Sequence, residues 1–389
     1  MENGLRSLQL KGLAVAVACA ATVGCGGNQV VRGRDPPHVE RPSPADLEQA
    51  CLQGTVGCEE AARRLETGTD VDIDLERSVR LYDKLCAEGK VPACVRSGHL
   101  RRTPGSPVQD LPRALQLFRG ACAMGDMPSC TEAGLMLEGG EAGPRDKSTA
   151  ANLYEAPCKG GDMRACTQLA ELIAAGGPVP RDGARALELL NAACRAGYGP
   201  GCASLGGMYE AGRDVEASDG KAFEYFTRAC DLNAGEGCVR MGQACERGAG
   251  VAQDRERAVE LFLRACKTGY ARGCTYGAVA YDEGRGVEVD RKKSLELYTQ
   301  ACEYGHAPSC AQVAARYEQG GAGARGQAWP FYHKACRGLH ALSCVKLARA
   351  FATGDGLSQD RKRAEQLYHK ACDAGEELGC AGLSEMGSN

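Results

Sequence analysis

Apolar side chains recur along this chain at helical spacing, in short runs punctuated by glycine, and nowhere in the alternation of a half-buried strand. The stretch from Asp290 to Gly320 shows the unit most clearly. Leu295, Tyr298, Ala301 and Cys302 share one face of a predicted helix, behind a solvated start at Arg291-Lys292-Lys293. Asp290 stands where an N-cap belongs, its carboxylate able to accept the free N–H groups of the first turn. Asp74, Asp110, Asp146, Asp182, Asp254 and Asp360 hold the same slot elsewhere, and Ser218 takes it once. Gly305 ends the helix, as Gly89, Gly125, Gly161, Gly197, Gly269 and Gly375 do in other units, in the position a helix C-terminus favours for glycine. A second helix is predicted from about Pro308, carrying Cys310, Val313, Ala314 and Tyr317, and closing at Gly320. A loop such as Gly284-Arg285-Gly286-Val287 then leads to the next Asp cap.

This unit recurs with a period of about 36 residues, which marks a stacked-repeat architecture. Paired cysteines make the period plain. Cys86 pairs by spacing with Cys94, Cys122 with Cys130, Cys158 with Cys166, Cys194 with Cys202 and Cys230 with Cys238. The series continues as Cys266 with Cys274, Cys302 with Cys310, Cys336 with Cys344 and Cys372 with Cys380, always eight residues apart. Cys51 and Cys58 form a tenth pair, one residue shorter. On one continuous helix an eight-residue step separates Cα atoms by about 12 Å. A disulfide tolerates less than roughly 7 Å. The pairs therefore close only if the chain reverses between them, at the glycine three residues after the first cysteine. The expectation is an all-α solenoid of about ten antiparallel αα-hairpins, each stapled across its turn by a Cys-x7-Cys disulfide. Each staple contributes roughly 2.5 kcal/mol by loop-closure entropy. The alternative use of so many thiols is metal binding, but the intervals are too long for the usual zinc spacing and the six histidines are scattered. No metal and no cofactor is expected.

Composition adds the compartment. Twenty-three cysteines demand an oxidising environment, and a formal net charge of −3 with both signs interspersed points away from nucleic acid. At the N-terminus, Arg6 and Lys11 precede an apolar stretch from Leu13 to Val23, too short to span a bilayer. It ends in Thr22-Val23-Gly24-Cys25, which resembles a bacterial lipobox. That resemblance implies a signal peptide over 1–24, cleavage before Cys25 and lipidation of that residue. Residues 25–45, with Pro36, Pro37, Pro42 and Pro44, read as an extended tether to a repeat domain over 46–389. The expected location is the cell envelope, at the outer membrane through the lipid anchor.

Two positions break the repeat. Cys245 lies where other units carry Tyr209, Tyr281, Tyr317 or Phe351, and has no partner by spacing; the expectation is an unpaired thiol filling an aromatic slot. The unit containing Gly320-Gly321-Ala322-Gly323 is two residues short, lacks the Asp cap and holds the only tryptophan, Trp329, beside Pro330. On an exposed turn Trp329 would be a candidate binding contact. His333 and His369 share one slot in the last full units and are expected to face solvent.

The pattern Tyr298-x-x-Ala301-Cys302-x-x-Gly305, then Ala307-x-x-Cys310 and Tyr317-x-x-Gly320, with loops like Gly284-x-Gly286-Val287-x-x-Asp290, resembles Sel-1-like repeats over roughly residues 46–387. The paired cysteines resemble the disulfide-rich branch typified by the helicobacter cysteine-rich proteins. The resemblance implies a right-handed superhelix whose concave groove holds a protein or peptide partner, hence a non-catalytic scaffold, with peptidoglycan as a further candidate ligand. The cysteine-rich branch also implies an alternative, a penicillin-binding protein with weak β-lactamase activity. Literal matches to its motifs exist: Ser343-Cys344-Val345-Lys346 and Ser218-Asp219-Gly220-Lys221 fit S-x-x-K, and Lys267-Thr268-Gly269 spells K-T-G. Each also fits its repeat slot, and the three fall in different units, so no catalytic residue is assigned.

Overall fold

The computed structural model describes residues 43–54, 57–320 and 322–387. Cys25, the apolar stretch before it and most of the proposed tether lie outside the described residues. From Pro44 onward the described residues form helices and no strand. The first helices of the successive hairpins are α1 (Pro44–Leu52), α3 (Leu75–Ala87), α5 (Leu111–Ala123), α7 (Lys147–Lys159), α9 (Gly183–Arg195), α11 (Asp219–Asp231), α13 (Arg255–Lys267), α15 (Arg291–Glu303), α17 (Ala322–Arg337) and α19 (Arg361–Asp373). The second helices are α2 (Cys58–Thr67), α4 (Val91–Arg102), α6 (Met127–Gly139), α8 (Met163–Ala175), α10 (Gly199–Ala211), α12 (Gly235–Arg247), α14 (Ala271–Glu283), α16 (Ala307–Gln319), α18 (Ala341–Thr353) and α20 (Glu377–Gly387). Each helix packs on the next in chain order, as a solenoid requires.

Local chemistry sets the ends. The carboxylates of Asp74, Asp110, Asp146, Asp182, Asp254, Asp290 and Asp360 each accept the backbone N–H three residues on, and the Ser218 hydroxyl does the same from Lys221. Asp126 and Asp162 cap second helices in the same way, which the sequence alone does not single out. At the hairpin bend Gly89, Gly125, Gly161, Gly197, Gly269, Gly305 and Gly375 have φ between +83° and +94°, where a Cβ would be strained. Two non-glycine residues occupy the same slot: Asn233 at +60° and Leu339 at +66°.

With the chain reversed there, the cysteines meet. Cys51 is bonded to Cys58 across the shortest loop, with seven residues of separation where every other pair has eight. Cys86 is bonded to Cys94, Cys122 to Cys130, Cys158 to Cys166, Cys194 to Cys202 and Cys230 to Cys238. Cys266 is bonded to Cys274, Cys302 to Cys310, Cys336 to Cys344 and Cys372 to Cys380. Their Cα separations of 4.4–4.7 Å fall within the range the bond allows. Cys245 is unpaired and fully buried beside Phe262 and Met241, and burial pushes its thiol pKa up.

Hairpins stack by fitting a ring into a gap. A Cβ placed at Gly98, Gly134, Gly206 or Gly242 would lie 2.4–2.9 Å from the ring of Phe118, Tyr154, Phe226 or Phe262 respectively. Each ring stands four residues before the first cysteine of its unit, and each glycine four after the second cysteine of the preceding one. At other joints alanine faces the ring, as Ala62 with Tyr82, Ala278 with Tyr298, Ala314 with Tyr332 and Ala348 with Tyr368, and at one joint Ala170 faces Leu190 instead of a ring.

Trp329 corrects the expectation. It is 8% exposed, lies within α17 and packs against Tyr332 at a centroid distance of 6.0 Å, in one cluster with Ala328, Leu347 and Ala350. The shortening removes most of the connecting loop: α17 begins at Ala322, only three positions after α16 ends, and runs 16 residues where most neighbouring helices run 13. The indole therefore sits on a helix facing the core, not on a turn. His333 and His369 are exposed.

Candidate interaction groove

Second helices form a continuous row: α8, α10, α12 and α14 touch in series, and α20 touches α18. Within each hairpin, small residues let the second helix approach the first. Ala, Ser or Gly precedes the second cysteine in every eight-residue pair, and a Cβ at Gly237 would lie 2.4 Å from that of Ala229 and 2.8 Å from the Cys230 backbone nitrogen. Three depressions open along the row, between α2 and α4, across α8, α10 and α12, and between α18 and α20.

Charged side chains tie the row together from one hairpin to the next. Glu66 pairs with Arg96, Glu132 with both Arg102 and Arg164, and Glu210 with both Arg240 and Arg247. Glu246 pairs with Arg285, Asp282 with Arg316, and Glu318 with Lys346. Three tyrosines join from behind: Tyr82 donates to Glu66, Tyr154 to Glu138 and Tyr332 to Glu318, at 3.0, 3.0 and 2.5 Å. Burial first, then the neighbouring carboxylate, pushes Tyr82 and Tyr154 well above the ordinary phenol range, and Tyr332 up to about 12. Burial works against the Lys346 ammonium, but its contacts with Glu318 and Tyr332 prevail and raise its pKa. Each tyrosine lies 14 or 16 residues from its acid, across a joint between hairpins. Sequence reasoning missed this pairing. Spacing alone carries no signal for it, because Glu210 and Glu246 face Phe226 and Phe262 in the same slots and Tyr368 faces Ala352.

The motif matches do not assemble. Ser343 is 1% exposed and its Oγ lies 2.8 Å from His340 Nδ1, whereas Lys346 Nζ is held by Glu318 at 2.5 Å and Tyr332 at 2.9 Å. Ser218 Oγ caps α11, accepting from the Lys221 N–H at 3.3 Å, while Lys221 Nζ lies 5.2 Å from the Tyr209 ring centroid. Thr268 donates to the Ala265 carbonyl at 2.8 Å, inside a helix C-terminus and not on a strand. A Ser309–His306 contact at 2.8 Å repeats the Ser343–His340 one. Both hydroxyls are buried at helix starts, so these contacts brace the turn and present no nucleophile to solvent. Among the described residues no group of three or more His, Cys, Asp or Glu is placed to hold a metal ion, and no helix is long and apolar enough to cross a membrane.

The Sel1 repeat matches residues 56–90, 92–126, 128–162, 164–198, 199–233, 235–270, 275–306 and 341–376. The chain belongs to the Sel1 repeat family. The longest stretch between matched repeats, 307–340, contains the shortened connection and Trp329. Among solved structures, a Sel1 repeat protein from Oxalobacter formigenes is similar over 92% of this chain and 98% of its own, at 18% identity and a TM-score of 0.51. Yeast Tom70 is similar over 89% of this chain and 82% of its own, at 13% identity and a TM-score of 0.50. Helicobacter pylori cysteine rich protein B covers 32% of this chain with 90% of its own, at 28% identity and a TM-score of 0.28. No curated protein matches. The first two likenesses are of fold: Sel1 hairpins stack as other helical-repeat hairpins do.

Proposed function

We propose that this Sel1 repeat protein is a non-catalytic scaffold of the bacterial cell envelope, anchored by a lipid on Cys25 and holding a partner polypeptide along the row of second helices. One observation carries the reading. The row is a continuous, polar, braced surface with depressions between successive helices, whereas the hydroxyls and lysines of the enzyme-like motifs are already engaged in capping and ion pairs. Ten disulfides hold only in an oxidising compartment, which supports export. A surface already ordered before binding loses little conformational entropy on engaging a partner.

Site-directed photocross-linking in cells tests this. A photoreactive residue at Gln243, in the row on α12, should trap a discrete partner, while one at Glu260, exposed on α13, should not. Equal trapping at both positions, or none at either, would count against the groove. The anchor has a separate test: labelled palmitate should enter the wild-type chain and not Cys25→Ser, and equal labelling would remove the lipoprotein reading.

A further inference from the structure

The ladder of ion pairs is interrupted midway. Ala174 stands where neighbouring second helices carry Glu138 and Glu210, and Ser204 where the adjacent α8 and α12 carry the longer Gln168 and Arg240. The missing bulk leaves a depression of about 260 Å³ across α8, α10 and α12, its floor formed by Leu190, Ala203, Gly207 and Met208. Gly207 is itself informative. Its neighbour Gly206 is required by Phe226, whose ring would lie 2.6 Å from a Cβ there, but a Cβ at Gly207 meets nothing within 4 Å. A mid-helix glycine costs about 1 kcal/mol relative to alanine, and packing gives no return for it at this position.

Glu171 reaches into the depression. Its Oε1 accepts from Ser204 Oγ at 2.5 Å, and among the described residues it forms no ion pair, unlike the acids of the ladder. Both signs line the depression, Glu236 beside Arg213 and Arg240, but Glu236 and Glu138 act on Glu171 more strongly than Arg213 does. Arg240, also on the rim, is shared between Glu210 at 3.5 Å and Glu236 at 3.8 Å. Glu171 stands exposed at the mouth of the depression, open to a ligand from solvent.

We infer that this depression receives the lysine or arginine side chain of a partner polypeptide, with Glu171 as its counter-charge. Lysine and arginine carry a cationic head on an apolar stem. The stem matches the Leu190–Met208 floor and the head matches the carboxylate. The inference rests on the groove reading above and names what one part of that groove selects.

Selection of phage-displayed peptides on the full-length, oxidised protein in detergent tests it. Enriched peptides should share a lysine or arginine, and replacing it with norleucine should weaken binding about tenfold. Glu171→Gln should weaken the parent peptide by a similar factor and leave the norleucine peptide unaffected, a coupling that a folding defect would not produce. Gly207→Leu, whose Cβ would meet nothing within 4 Å and whose side chain would occupy the depression, should abolish enrichment. If enriched peptides bind both variants as tightly as wild type, the depression is not their site and this inference falls while the groove stands. If no peptide is enriched, the groove reading fails and this one with it.

Discussion

Leu339 shows what one residue contributes at a hairpin bend. Its unit places glycine one position early, at Gly338, where a Cβ would lie 2.7 Å from that of Ala307. Leu339 is thereby left in the left-handed slot at φ +66°, with its side chain 73% exposed. The left-handed conformation costs an L-residue about 1–2 kcal/mol. Glycine loses somewhat more entropy on folding, so Leu339→Gly should stabilise the protein by about 1 kcal/mol, read as a higher denaturation midpoint. An unchanged or lower midpoint would refute the strain argument. His306 and His340 make a second case. Burial lowers the pKa of each, so the folded state binds protons less readily than the unfolded chain. Their contribution to stability is present above the unfolded value of about 6.5 and lost as pH falls through the folded one. Melting temperature should therefore decline between about pH 7 and 5, and decline less in a His306→Asn, His340→Asn double variant. Equal slopes would mean that other groups govern the acid limb.

Among elements, α17 differs most from its neighbours. Its unit lost the Asp cap and most of a loop, yet the helix is retained because Trp329 and Tyr332 bury against Leu347 and Ala350. Trp329 also fills the space left by Gly356, where a Cβ would lie 2.6 Å from the indole nitrogen. Trp329→Ala should cost about 3–5 kcal/mol and speed hydrogen exchange first in α17 and α18. A loss below about 1 kcal/mol would instead mark a surface residue. Sequence alone puts this tryptophan on a turn because the glycines at 320, 321 and 323 read as loop. Glycine and tryptophan carry no intrinsic instruction to continue a helix; packing on α16 and α18 supplies it.

For the whole molecule, the staples decide stability. Ten loops at about 2.5 kcal/mol each sum to about 25 kcal/mol, more than the net stability of most domains. Excess reductant should therefore melt the helices at 37 °C, with far-UV circular dichroism falling as thiols are released. Full helicity after complete reduction would show that packing suffices. Unreduced peptide mapping should recover the ten hairpin pairs and a free Cys245; widespread cross-repeat pairing would contradict the fold.

The hairpins were legible in the sequence because everything that makes them acts within one unit. An aspartate caps the helix it precedes, a glycine reverses the chain three residues after a cysteine, and the eight-residue step then closes a disulfide. The joints were not legible. Which tyrosine meets which carboxylate, whether Trp329 faces core or solvent, and that Ser343 and Lys346 engage different partners all depend on how one hairpin seats against the next. The depression beside Glu171 is of the same kind. It exists only because Ala174, on one hairpin, and Ser204 and Gly207, on the next, are brought side by side where Leu190 seats against Ala170.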